Sequence, residues 1–96
     1  MDERLLRAFV TVAREGSFSR AAVSLGYSQP AVTHQVHQLE MHLGFRLFDR
    51  GVVPPRLTPE GRERLVASEA ILSLMDALRR PVPTLIARAS TQSAAG

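Results

Sequence analysis

The fold is decided by residues 16–44, which read GSFSRAAVSLGYSQPAVTHQVHQLEMHLG. Apolar residues recur here at helical spacing, first from Phe18 to Leu25 and again from Val32 to Leu43. A serine precedes each stripe as a candidate N-cap, and a glycine follows each as a candidate C-cap. The two stretches are separated only by Gly26, Tyr27 and Ser28. This tight, glycine-containing connection predicts a helix-turn-helix.

The flanking sequence extends this motif in both directions. On the N-terminal side, a stripe with the same spacing predicts a helix over about residues 3–15: Leu6, Phe9, Val10 and Ala13. On the C-terminal side, the apolar-rich run 45–50 and the segment 56–58 flank a stiff turn, which predicts a two-stranded wing. Thr58 and Pro59 can begin a fourth helix that continues to about Arg80, before Pro81 and Pro83 end it.

We therefore predict a mainly α protein, a winged helix-turn-helix with a three-helix head, a short two-stranded wing and a long fourth helix. Three segments follow from this order. Residues 1–58 form the head and wing, residues 59–80 form the long helix, and residues 81–96, which are small and polar without an apolar stripe, form a flexible tail or hinge.

Length and composition exclude several classes of protein. With 96 residues the chain can form only one small domain, and with no Cys it has neither disulfides nor a thiolate metal site. The acidic start and the lack of a long apolar stretch argue against a signal peptide or a membrane span, so we expect a cytoplasmic protein. No phosphate-binding glycine loop, nucleophile elbow or buried acid pair can be assembled, so we expect no enzyme and no cofactor.

The positive charge lies in the middle of the chain. All twelve basic residues are Arg, and the segments on both sides of residues 17–58 are neutral up to residue 80. Residues 17–58 carry four arginines against two acids: Arg20, Arg46, Arg50 and Arg56 against Glu40 and Asp49. A mild basic focus of this kind is typical of polyanion binders, although it also occurs on ordinary solvated surfaces.

The outward face of the third helix carries compact hydrogen-bonding groups near its N-terminus. Pro30, Thr33, His34 and His37 point away from the apolar stripe, and Gln29 lies at its edge. A recognition helix presents its N-terminal half to the major groove, where such side chains contact base edges. The two histidines, with Glu40 a turn further on, also have a spacing that can share a cation. Zinc sites need four ligands, however, so we assign the histidines to DNA or solvent and expect no metal.

Seven short motifs occur in order and without gaps: residues 6–9 (LRAF), 16–22 (GSFSRAA), 28–33 (SQPAVT), 39–40 (LE), 43–44 (LG), 47–50 (LFDR) and 57–61 (LTPEG). Together they resemble the N-terminal winged helix-turn-helix of the LysR-type transcriptional regulators, from about residue 3 to residue 65. The resemblance implies a bacterial transcription factor whose third helix enters the major groove of an interrupted palindrome upstream of a promoter.

The resemblance also implies roles for individual residues. The base-reading surface of the family corresponds here to Gln29, Pro30, Thr33 and His34. Contacts with the DNA backbone or the groove edge correspond to Ser28 and Arg50, and we add His37 and Arg56 as further DNA contacts. One departure lies at the wing tip, where Val53 stands in place of a second basic residue, so minor-groove contact by the wing is not implied.

The fourth helix is expected to hold a dimer together. Over about 33 Å it is too long to lie wholly against the head, so we expect part of it to project. One of its two apolar stripes, with Leu65, Leu72 and Met75, can cover the core. The other stripe would be left in water and is predicted to contact a second copy: Ala67, Ile71, Leu74 and Leu78. The alternative is a monomer whose fourth helix frays beyond about residue 72.

Two questions stay open at the level of sequence. Members of this family normally continue into an effector domain that this chain does not contain, so the chain is either a DNA-binding fragment or a naturally short regulator. The function also has an alternative. The modest net charge of +3 and the neutral wing tip fit an interaction module that pairs with a full-length relative and antagonises it with little DNA binding of its own.

Overall fold

Four helices follow one another in the computed structural model, which describes residues 2–80. They are α1 (Glu3–Glu15), α2 (Phe18–Leu25), α3 (Gln29–Leu43) and α4 (Pro59–Arg79). The tail or hinge predicted for residues 81–96 lies outside the described residues. Among the helices of residues 2–80, none is long and apolar enough to cross a membrane.

Side-chain caps fix where each helix begins. The side chains of Asp2, Ser17, Ser28 and Thr58 each accept a hydrogen bond from a backbone N–H in the first turn of the helix that follows. The first three helices end at glycines in the left-handed conformation, where residues with a Cβ are disfavoured: Gly16, Gly26 and Gly44. The bounds of all four helices therefore agree closely with those predicted from the capping residues.

The hydrophobic core forms around α1, which contacts each of the other three helices. Phe9 and Val12 of α1 are fully buried, together with Val32 and Leu39 of α3. Because α2 contributes the small residues Ala21 and Ala22, it can lie close to this centre. The helix-turn-helix is thus held from behind by α1, which leaves the opposite face of α3 free.

The wing is smaller than the two strands that we predicted. Its arms meet in one isolated antiparallel bridge, between Phe48 and Leu57. The backbone N–H of Asp49 donates to the carbonyl of Arg56 at 2.8 Å, next to this bridge. Two adjacent residues of the tip, Pro54 and Pro55, have no N–H to donate, so the ladder cannot extend into the tip.

Aromatic packing attaches the wing to the head. The ring of Phe48 lies edge-on to Phe9 of α1 and to Phe18 of α2, with centroids 5.7 Å apart in each pair. Because Phe9 is fully buried and Phe48 nearly so, the wing is part of the core rather than an appendage.

The fourth helix lies along the head and does not project from it as we expected. Leu72 is buried against the core, and Leu65 packs at its edge. Charged contacts with α1 continue to the last turn, because arginines on one helix meet carboxylates on the other: Arg14 with Glu69 at 2.9 Å, Arg7 with Asp76 at 2.6 Å, and Arg79 with Glu3 at 2.8 Å. The length estimate failed because α1 offers a partner along nearly the whole of α4.

Candidate nucleic-acid interface

Helix α3 is oriented by its inward stripe. Val32, Val36 and Leu39 are buried, so the residues between them face outward. All five predicted groove-facing side chains are exposed on this side: Gln29, Pro30, Thr33, His34 and His37. Their exposure follows from the helical period, whereas their roles at DNA stay predictions.

A groove runs between α3, the wing and the start of α2. It has a volume of about 510 Å³, and its walls include Gln29, Thr33 and His37 from α3 and Arg50 from the wing. Gln29, Thr33 and His37 also line a shallower depression on α3, together with Pro30 and His34. The structure therefore brings six of the eight predicted DNA-contacting residues onto one continuous surface.

The other two, Ser28 and Arg56, line neither depression. Ser28 Oγ accepts the Ala31 N–H at 3.3 Å as the cap of α3, which leaves its own hydroxyl hydrogen free to donate. Arg56 is exposed on the second arm of the wing. Both residues can reach a ligand only outside the groove.

The arginines divide into two groups according to their ion pairs. Those that meet a carboxylate include the three that join α1 to α4, together with Arg4 and Arg64. In contrast, none of the four arginines of residues 17–58 forms an ion pair with any residue from 2 to 80: Arg20, Arg46, Arg50 and Arg56. Arg62, in the first turn of α4, is also exposed and unpaired there. Unpaired guanidinium groups near α3 are available to phosphate.

Glu40 holds α3 and the wing in register, a role that the sequence analysis missed. Its Oε2 accepts the backbone N–H of Leu47 at 2.7 Å and that of Phe48 at 3.4 Å. We had considered Glu40 only as a possible cation ligand. The contact depends on the reversal of the chain after Gly44, and sequence spacing does not reveal how far that reversal brings Leu47 back.

The histidines do not gather into a metal site in the part of the chain that the structure describes. His34 and His37 are both exposed, and residues 2–80 contain no group of three or more His, Asp or Glu side chains placed to hold an ion. The two imidazoles instead lie among the groove-facing side chains of α3.

A helix-turn-helix with an exposed polar face, a wing beside it and unpaired arginines around both defines a winged-helix DNA-binding domain. Residues 4–62 match the family model of bacterial regulatory helix-turn-helix proteins of the lysR family. Because this match covers more than half of the chain, the chain belongs to that family.

Similar proteins are transcriptional regulators rather than enzymes. AbaB of Streptomyces antibioticus, an HTH-type transcriptional regulator, is 57% identical over 63 residues, and the match covers 62% of this chain and 21% of AbaB. TfdS of Cupriavidus pinatubonensis, also an HTH-type transcriptional regulator, is 46% identical over 74 residues, covering 77% of this chain and 25% of TfdS. The chain thus spans about a fifth to a quarter of the length of these relatives.

Solved structures agree with the fold. The BenM DNA-binding domain in complex with benA site 1 DNA superposes with a TM-score of 0.78 at 40% identity, covering 81% of this chain and 91% of that one. DarR of Vibrio fischeri in complex with DNA gives a TM-score of 0.77 at 27% identity, covering 100% of this chain and 30% of DarR. The chain is therefore a LysR-type helix-turn-helix DNA-binding domain for transcription regulation.

Proposed function

We propose that this chain binds double-stranded DNA sequence-specifically, as a homodimer on an interrupted palindrome, in the regulation of bacterial transcription. The observation that carries the proposal is the shared surface of α3 and the wing, where compact polar side chains lie beside unpaired arginines. The complexes of the BenM domain and of DarR with DNA support it by fold. The chromosome of a bacterium lies in the cytoplasm, so we propose that location for the protein.

The residues divide into those that read bases and those that position the protein. Gln29 and Thr33 have hydrogen-bonding groups suited to base edges in the major groove, as does the imidazole of His34. Ser28, Arg50 and Arg56 would meet phosphates and fix the register of α3. Pro30 and His37 complete the surface at its two sides, the proline through apolar contact and the histidine through its ring nitrogens.

Homodimerisation would use the outward stripe of α4. Leu74 is 68% exposed and Leu78 is 87% exposed, while Ile71 and Ala67 are exposed on the same side. These residues face away from α1, so no part of the chain from 2 to 80 covers them. A second copy would bury the stripe across a two-fold axis, and the same axis would present two copies of α3 to the two halves of a palindrome.

A selection of bound sequences from a random duplex pool, followed by titration at several salt concentrations, tests the proposal. If each dimer neutralises about four to eight phosphates, the slope of log K against log salt should lie between about −3.6 and −7. An enriched palindromic sequence together with this slope is the expected result. A flat salt dependence without enrichment would favour the interaction module that pairs with a full-length relative.

A further inference from the structure

The tip of the wing, Val52–Pro55, is an apolar surface without a cover in the described part of the chain. Val53 is 93% exposed, the highest value among the large hydrophobic residues of this part. All four tip residues line the groove beside α3. None of their side chains has a hydrogen-bond donor or acceptor. The tip therefore presents only carbon atoms to whatever occupies the space beside α3.

The surroundings of the tip indicate which molecule that is. Arg50 precedes the tip and Arg56 follows it, and neither pairs with a carboxylate from residues 2–80. An apolar surface between two free guanidinium groups suits a ligand with an uncharged centre and anionic edges. The minor groove of DNA has this character, with sugar and base edges between two rows of phosphates. Because the tip adjoins α3, it lies next to the major groove that α3 would enter.

We propose that the wing tip packs into the minor groove beside each half-site and selects A·T over G·C pairs there by excluding the guanine N2 amine. This inference rests on the proposed function. In the minor groove both kinds of base pair present acceptor atoms, and only G·C adds a donor, the N2 amine. An aliphatic tip cannot accept a hydrogen bond, so contact with G·C would leave this amine desolvated and without a partner. The same amine also protrudes into the space that Val53 would fill.

The probe is the operator duplex recovered by the selection, in which the base pairs flanking each half-site are set in turn to A·T, G·C or inosine·C. Inosine·C presents the same major-groove pattern as G·C and lacks only the N2 amine, so α3 would meet unchanged edges. We expect the wild type to bind the A·T and inosine·C duplexes alike, and the G·C duplex at least about fivefold more weakly.

Three variants identify the tip as the source of this preference. Val53→Asn supplies an amide oxygen that can accept from the amine, so the preference against G·C should disappear. Val53→Ile keeps an aliphatic tip and should keep the preference. Val23→Asn makes the matched change at another valine, which is 83% exposed and does not line the groove, and it should behave as the wild type.

The outcomes separate this inference from the proposed function. Equal binding of the wild type to the G·C and inosine·C duplexes would overturn the inference and leave sequence-specific binding intact. A preference that persists in Val53→Asn would overturn it as well, because the tip would then not be its source. If the selection enriches no duplex at all, the proposed function fails and the inference fails with it.

Discussion

A Cβ atom at Gly61 would lie 2.1 Å from the carbonyl oxygen of Leu47, so the first turn of α4 is in direct contact with the backbone of the wing. Thr58 reinforces this contact from both sides. Its hydroxyl donates to the carbonyl of Arg46 at 2.6 Å and accepts the N–H of Gly61 at 2.9 Å. The start of the long helix and the first arm of the wing therefore form one rigid corner.

Gly61→Ala should destabilise the protein. Alanine has the better helix propensity by about 1 kcal/mol. Its methyl group, however, would overlap a backbone atom that cannot move without displacing the wing, so we expect a net loss of about 1–3 kcal/mol in the free energy of unfolding. Urea denaturation followed by circular dichroism measures this loss. Arg62→Ala, at the exposed neighbouring position, is the control, and an equally stable Gly61→Ala would show that the corner can open without cost.

The helices could be predicted from the sequence because their ends depend on neighbouring residues only. Ser17 and Ser28 bond to N–H groups three residues further on, and left-handed glycines follow at fixed spacing. Exposure on α3 was likewise predictable from the helical period. Contacts between distant segments were not, because the bonds from Glu40 to the wing and the approach of Gly61 to Leu47 depend on the angle between packed elements.

Base reading and positioning should respond differently to substitution. Gln29→Ala should cost about 1–3 kcal/mol at the selected operator and leave binding to random duplex nearly unchanged, because only a base-edge contact is lost. Arg50→Ala should weaken binding to both DNAs alike and flatten the salt slope by about one unit for each phosphate lost. Fluorescence anisotropy titrations with both duplexes at several salt concentrations provide the comparison. Equal losses on operator and random DNA for both variants would contradict the placement of α3 in the major groove.

Leu74→Asp should convert the dimer to a monomer, because it places a charge in the middle of the exposed stripe of α4. Light scattering coupled to size exclusion should give twice 10.5 kDa for the wild type and a value near 10.5 kDa for the variant, with weaker operator binding. Val23→Asp introduces the same charge at an exposed apolar position of α2 and should remain dimeric. A wild type that is monomeric at tens of micromolar would exclude α4 as a dimer interface.

Acid should weaken the contact between α1 and α4 through Glu3. Hydrogen bonds from Arg79 and then Arg7 lower the pKa of Glu3 from 4.5 to about 2 in the folded protein. The folded state therefore binds this proton less readily than the unfolded chain does. The stability that Glu3 contributes is fully present above pH 4.5 and is lost as the pH falls from there towards about 2. Added salt should reduce the contribution at neutral pH, because the pairs are solvent-accessible.

The comparison of wild type with Glu3→Gln isolates this effect. The wild type should be the more stable at neutral pH, and the difference in denaturation midpoint should shrink as the pH is lowered through that window. Glu60→Gln removes an exposed carboxylate that has no ion pair within residues 2–80, and its difference from wild type should vary less with pH. A constant offset between the wild type and Glu3→Gln from neutral pH to about pH 2 would contradict the assignment.

The packing of Phe48 between Phe9 and Phe18 has a consequence for how such a domain acquires a new operator. A change in any of the three rings shifts the wing and α3 together, so a screen for loss of repression or activation should recover core residues that never touch DNA. Exposed side chains of α3 and of the wing tip can be exchanged without disturbing this frame. Divergence of paralogues towards new target sites should therefore accumulate at those exposed positions, while the three rings change rarely and in concert.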